Sequence, residues 1–147
     1  MKKHFKTISM VESHLRKKYG VPTENTSNDE NFLDWDVRIT GVTKNGLVTT
    51  YTIKPNNTYN NDKICLEIGK VGVTQSIPSG IRLSKSDYII LAFYDDRKLY
   101  MIEREKLLNY IKLIKDPPVP FYISYDRNDY QLVLFDRPSL LKKCKVI

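Results

Sequence analysis

The chain has few cysteines and no long apolar run, and both shortages narrow its class. Its 147 residues include two cysteines, Cys65 and Cys144, which are too few for a disulfide framework and do not have the spacing of a zinc site. No apolar stretch reaches the length of a membrane span, and no apolar region of a secretory signal follows the basic N-terminus. These features predict an intracellular, cytoplasmic protein that does not enter a membrane.

Histidine is also scarce, and this disfavours catalysis by a serine nucleophile that a histidine activates. His4 and His14 have no partner that the sequence reveals, and we interpret both as surface residues. Ser79 lies in a loop without the histidine and acid that would activate it as a nucleophile. The chain is long enough for one domain with one core, which we expect to span residues 1–147.

Positive charge is plentiful. Twenty-four basic and 17 acidic residues give a net charge of +7, which favours a polyanionic partner such as nucleic acid. The alternative is a small basic protein with solvated charged faces and no anionic partner. Two basic clusters could neutralise phosphates. The first is Lys2, Lys3, Lys6, Arg16, Lys17 and Lys18, and the second is Lys142, Lys143 and Lys145.

Apolar periodicity predicts the main elements. Ile8, Val11 and Leu15 lie at helical spacing, with Ser9 and Glu12 placed as a capping box, so we expect a helix over Phe5–Tyr19. Further along, we expect an apolar central strand at 64–68, strands at 87–94 and 98–102, a helix over 103–114, a hairpin of 121–125 with 131–135, and a last helix opened by Pro138. This order predicts an α/β fold, with a mixed β-sheet core flanked by helices.

The most informative stretch runs from Asp34 to Lys70. Apolar and polar residues alternate on both sides of Asn45-Gly46, a strong signal for a β-hairpin. Thr52 and Lys54 are two residues apart, so they lie on one face of a strand. Pairing of the two arms would bring Asp36 close to them. We further expect the strand that carries Glu67 to neighbour this one.

These residues resemble a known family. Asp36, then Tyr51-Thr52-Ile53-Lys54, Ile64-Cys65-Leu66-Glu67, Pro78-Ser79-Gly80-Ile81 and Ser84-Lys85-Ser86-Asp87-Tyr88 follow in an order similar to that of the PD-(D/E)xK nuclease superfamily, in particular its short phage-type members. The resemblance covers roughly residues 12–114. It implies a restriction-endonuclease-like fold, and it admits a homodimer because many members act as dimers.

The resemblance also implies a chemistry. Such nucleases, some of which resolve branched DNA, hydrolyse phosphodiesters with Mg²⁺ or Mn²⁺ held by carboxylates, and a lysine stabilises charge. By this resemblance Asp36, Lys54 and Glu67 would be catalytic, and Asp36, Glu67 and Glu12 would be metal ligands. The ordinary alternatives are a turn residue for Asp36, an edge-strand lysine for Lys54, a salt bridge to Lys54 or Lys70 for Glu67, and a capping residue for Glu12.

One departure weakens the implied site. Thr52 stands where the family has its second carboxylate, and a threonine hydroxyl supplies oxygen without charge. Two functions therefore stay open. The first is a DNA-binding protein with Mg²⁺-dependent nuclease activity at an altered site. The second is an inactive nuclease-fold protein, such as a phage or mobile-element factor, that acts by binding DNA or another protein.

Overall fold

The structure is a computed structural model that describes residues 2–20, 23–25, 37–39, 49–55, 58–60, 63–71, 76–78, 80–82, 84–93, 98–112, 121–125 and 130–147. The helices are α1 (Lys2–Tyr19), α2 (Arg104–Lys112) and α3 (Arg137–Leu141). The strands are β1 (Thr23–Asn25), β2 (Val37–Ile39), β3 (Thr49–Pro55), β4 (Thr58–Asn60), β5 (Lys63–Val71), β6 (Ser76–Pro78), β7 (Tyr88–Ala92), β8 (Leu99–Glu103), β9 (Phe121–Tyr125), β10 (Tyr130–Asp136) and β11 (Lys145–Val146). A 3₁₀ turn covers Gly80–Arg82.

The strands form two sheets. The first has the order β1-β2-β3-β7-β8-β11 and is mixed, because β3 and β7 run parallel while its other neighbours are antiparallel. The second has the order β4-β5-β10-β9, with β6 also paired to β5, and all its pairings are antiparallel. The expected α/β class with a mixed sheet is confirmed. The second sheet was not expected.

The predicted hairpins are present. β2 pairs antiparallel with β3, with Val37 opposite Tyr51, and β9 pairs antiparallel with β10. α1 begins three residues before the expected Phe5, so Ser9 lies inside the helix, and the capping-box interpretation of Ser9 and Glu12 is wrong. The turn at Asn45-Gly46 lies outside the described residues.

Apolar side chains bury both faces of the first sheet. On one face, Tyr51 and Ile53 of β3 pack with Ile90 of β7 against three buried residues of α1, which are Ile8, Val11 and Leu15. On the other face, Ile89 and Leu91 of β7 belong to a larger core with the second sheet, α2 and α3, to which Ile64, Leu66, Val133, Phe135, Leu107 and Leu140 contribute. The first sheet is thus a middle layer between α1 and the second sheet.

Candidate functional site

Strand alternation in β3 determines which of its residues could form a site. Tyr51 and Ile53 point towards α1, so Thr52 and Lys54 point to the opposite face. Thr52 is buried, with 7% of its surface exposed, and Lys54 is half-buried. The expectation that Thr52 and Lys54 share a face is therefore confirmed.

A triangle of hydroxyl groups surrounds Thr52. The Thr52 Oγ1 lies 2.7 Å from the Ser84 Oγ and donates to the Ser86 Oγ at 2.9 Å, and the two serine hydroxyls are 2.9 Å apart. The Ser86 backbone N–H also donates to the Ser84 Oγ at 3.2 Å. All three side chains are buried. The position at which the resemblance expects a carboxylate is thus occupied by a buried, mutually hydrogen-bonded set of neutral groups.

A second set of hydrogen bonds fixes the same segment to β3. The backbone N–H and the hydroxyl of Thr50 donate to the Asp87 Oδ2 at 2.9 and 3.2 Å. The Asp87 backbone N–H donates in return to the Thr50 hydroxyl and carbonyl oxygens, each at 3.1 Å. Asp87 therefore acts as a structural residue at the entrance to β7. Together with the hydroxyl triangle, it holds residues 84–87 against the first sheet.

The structure does not bring Glu67 to this site. β5 lies in the second sheet, and the described neighbours of β3 are β2 and β7, so the expected pairing of the Glu67 strand with β3 is wrong. Ile64 and Leu66 point into the core that faces the first sheet. Glu67 alternates with them and lies opposite Leu132 of β10, so it occupies the other face of the second sheet.

Glu12 is also separate from Lys54. It lies on α1 beside the residues that pack on the Tyr51 face of the first sheet, whereas Lys54 points to the opposite face. Its carboxylate is 3.7 Å from the Arg16 Nη1, and 12% of its side chain is exposed. Glu12 thus forms a helical ion pair, a role that the sequence analysis did not consider for it.

Asp36, the first predicted ligand, lies outside the described residues. The remaining candidate ligands for Mg²⁺ are the described carboxylates and hydroxyls. Mg²⁺ is usually held by one or two carboxylates together with waters and phosphate oxygens. Among the described residues, no group of three or more histidine, cysteine, aspartate or glutamate side chains is placed to hold a metal ion. The hydroxyls of Thr52, Ser84 and Ser86 are neutral and bonded to one another, so they offer Mg²⁺ no carboxylate.

The predicted basic residues lie on two separate surfaces. Arg16, Lys17 and Lys18 are exposed at the end of α1, while Lys2, Lys3 and Lys6 lie in the first turns of the same helix. Lys142, Lys143 and Lys145 are exposed near β11. The sequence analysis missed Lys106 of α2, whose Nζ donates to the Lys143 carbonyl oxygen at 3.4 Å. The predicted helix over 103–114 contains Lys106, but only tertiary packing places it beside the C-terminal lysines.

Burial raises the pKa of two side chains near these elements, those of Tyr51 and Cys144. Burial, with smaller contributions from Tyr19, Tyr88 and Asp87, raises the pKa of Tyr51, whose ring stacks on that of Tyr88 with centroids 5.6 Å apart. Burial likewise raises the pKa of the Cys144 thiol to about 11, although the nearby Lys106 opposes the shift. A thiol that stays protonated at neutral pH is a poor nucleophile and a poor metal ligand.

Comparison with known proteins leaves the family open. The chain matches no protein-family model, no curated protein and no solved structure. The similarity to PD-(D/E)xK nucleases therefore stays a prediction. None of the helices in the described part of the chain has the length and apolar character that crossing a membrane would require.

Proposed function

We propose that this protein binds DNA and does not hydrolyse it. The observation that carries the proposal is the hydroxyl triangle of Thr52, Ser84 and Ser86. A metal ion at this position would have to disrupt three buried hydrogen bonds and would gain no negative ligand from the three residues, so the free-energy balance is unfavourable. This is the second of the two functions that the sequence left open, with the nuclease fold as its expected framework.

Charge supports the binding half of the proposal. The net charge of +7 is compatible with the attraction of a polyanion. Lys54 lies two residues from Thr52 on the same face of β3, and Lys85 lies exposed between the two buried serines. The surroundings of the triangle thus contain two cationic side chains, which suit a phosphate better than a metal cation.

Two measurements test the proposal. Plasmid nicking in Mg²⁺ and in Mn²⁺ should show no cutting by the wild type and none by Asp36→Ala. Retention of the wild type on a DNA column should fall steeply between about 50 and 200 mM salt, because each phosphate contact releases counterions.

Three outcomes would contradict the proposal in different ways. Metal-dependent cutting that disappears in Asp36→Ala would establish an active nuclease site. Cutting that persists in Asp36→Ala would place the chemistry elsewhere. A wild type that DNA does not retain at low salt would favour a protein partner. Thr52→Glu tests the triangle directly, since restored cutting would show that a missing carboxylate is the main defect.

A further inference from the structure

Three exposed lysines meet at one corner of the molecule. Lys106 comes from α2, and Lys142 and Lys143 come from the turn that follows α3. The Lys106 Nζ donates to the Lys143 carbonyl oxygen at 3.4 Å, and the Lys143 Nζ lies 4.5 Å from the ring centroid of Tyr110, one helical turn after Lys106. We call these three lysines the lysine corner. Specific contacts thus join Lys106 and Lys143 from two separate elements, and Lys142 precedes Lys143 in the chain.

Two of the three lysines, Lys106 and Lys143, contact uncharged groups, while Lys142 interacts with the Asp136 carboxylate. The contacts of Lys106 and Lys143 are to a carbonyl oxygen and an aromatic ring, and the salt bridge found among the described residues joins Glu12 to Arg16. The Asp136 Oδ2 also accepts hydrogen bonds from the N–H and hydroxyl of Ser139 at 3.1 and 2.6 Å, and these bonds favour its charged form. Three lysines against one carboxylate leave positive charge at the corner, which would attract an anionic ligand.

The basic end of α1 is a weaker candidate for the same role. Arg16 is 3.7 Å from the Glu12 carboxylate, and Lys18 lies near the ring of its neighbour Tyr19, at 5.8 Å. Basic residues in a last helical turn also interact favourably with the helix dipole, which explains them without a ligand. α1 packs on one face of the first sheet and α2 belongs to the core on the other, so the two basic surfaces face different directions.

We propose that the lysine corner is the surface that binds the phosphodiester backbone of nucleic acid. This inference rests on the proposed function and adds to it the location of the contact. The Tyr110 ring is already engaged by stacking on Phe135, with centroids 6.2 Å apart, and by Lys143. It is therefore not free to stack on a base. Contacts to phosphates alone carry no direct sequence information, so binding through this corner is independent of base sequence.

Paired charge-removal variants test the location. Lys106→Gln/Lys143→Gln removes two charges from the corner, and Lys17→Gln/Lys18→Gln removes two from α1 as the matched control. Affinity for a duplex of about 20 base pairs is measured by fluorescence anisotropy between about 50 and 200 mM salt. We expect the corner variant to lose about tenfold in affinity near 100 mM salt, and its slope of log K against log salt to become shallower by about 2. The α1 variant should change much less.

A charge-preserving variant separates charge from folding. Lys106→Arg/Lys143→Arg keeps both cations and the contact with Tyr110, so it should bind like the wild type. Lys142→Gln gives a further test at an exposed position, where we expect the slope to change by about 1. If the Lys106→Gln/Lys143→Gln variant fails to fold, Lys142→Gln alone decides, and an unchanged slope overturns the proposal.

Other outcomes distinguish failure of the location from failure of the function. Wild-type binding with equal losses in the corner and α1 variants overturns the location and leaves DNA binding intact. A wild type that binds no duplex even near 50 mM salt overturns the proposed function itself. Binding to anionic phosphatidylserine vesicles but not to DNA would assign the corner to a membrane surface and overturn the nucleic-acid proposal.

Discussion

The sequence and the structure suggest different roles for Thr52. In the sequence it is a missing carboxylate beside Lys54. In the structure its hydroxyl joins those of Ser84 and Ser86, which lie 32 and 34 residues away along the chain. Buried polar groups are stable when they are hydrogen-bonded and costly when they are not. The hydroxyl triangle therefore has a structural role, whether or not the site catalyses a reaction.

The triangle leads to a prediction about stability. Thr52→Val keeps the shape of the side chain but removes the hydroxyl, so the two serines lose a shared partner. We expect the free energy of unfolding to fall by about 1–3 kcal/mol. Thr52→Ser is the matched control, since it keeps the hydroxyl. Urea denaturation followed by circular dichroism measures both. A Val variant as stable as the wild type would show that the triangle contributes nothing.

At the scale of elements, Gly20 and Gly80 adopt backbone conformations that other residues rarely adopt. Gly80 opens the 3₁₀ turn with φ +55°, and a Cβ built there would lie 2.8 Å from the carbonyl carbon of Glu67 in β5. Gly20 ends α1 with φ +66°, but nothing lies within 4 Å of its Cβ position. Both backbones favour glycine, while only Gly80 has a close neighbour. β5 and the turn can approach this closely because Gly80 has no side chain.

These two glycines predict unequal costs of substitution. Gly20→Ala should destabilise the protein by about 1 kcal/mol, from backbone strain alone. Gly80→Ala adds a clash with the backbone of β5, which a rotamer change cannot relieve, and should cost about 3 kcal/mol or more. Thermal unfolding of the two variants under the same conditions compares them. Equal losses would mean that β5 moves away from the turn without difficulty.

Asp136 makes the stability of α3 dependent on pH. It is the N-cap of that helix, and hydrogen bonds from the Ser139 hydroxyl and N–H are the main causes that lower its carboxyl pKa. A group whose pKa is lower in the folded state stabilises above its unfolded pKa, about 3.9 for aspartate, and this contribution is lost as pH falls through the folded value. Asp136→Ala should therefore lower the urea midpoint at neutral pH, with a smaller effect in acid.

A non-titrating cap provides the control for this pH dependence. Asp136→Asn keeps an oxygen that can accept from Ser139, and asparagine is among the preferred N-cap residues. The urea midpoints of the three proteins are compared at about pH 7, 4 and 2.5. An Ala variant whose deficit stays the same down to the lowest pH would contradict a role for the charged carboxylate.

The whole molecule is organised around β7, because both faces of that strand are buried. Ile89 belongs to the core shared with the second sheet, and its neighbour Ile90 belongs to the core shared with α1. Both side chains are fully buried. The first sheet therefore depends on packing from two sides, and its stability combines two cores that meet at one strand.

Single substitutions test whether both cores contribute. Ile89→Ala and Ile90→Ala should each cost about 2–5 kcal/mol, since each removes buried methyl groups and leaves a cavity. Guanidinium unfolding measures the two losses, and Lys17→Ala at an exposed position of α1 provides a baseline near zero. A small loss for Ile90→Ala alone would mean that the core shared with α1 contributes little to stability.

Elements with a strong local pattern could be predicted from the sequence alone. α1, α2, the β2–β3 pairing, β7 and the β9–β10 hairpin follow from apolar spacing that repeats over five or more residues or across a recognisable turn. The mixed sheet and the α/β class follow from their order. The shared face of Thr52 and Lys54 follows from strand alternation, which is a local property of the backbone.

Tertiary structure decided the features that join distant parts of the chain. β5 has the same apolar pattern whether it pairs with β3 or with β10, and only the second sheet shows which pairing forms. Strands β4 and β11 have three and two residues, which are too few to show the alternation of apolar and polar residues that predicts a strand. The hydroxyl triangle and the lysine corner each combine residues more than 30 positions apart. The sequence determines the type of each side chain and its local spacing. Which distant groups come into contact depends on how α1, the first sheet and the second sheet pack together.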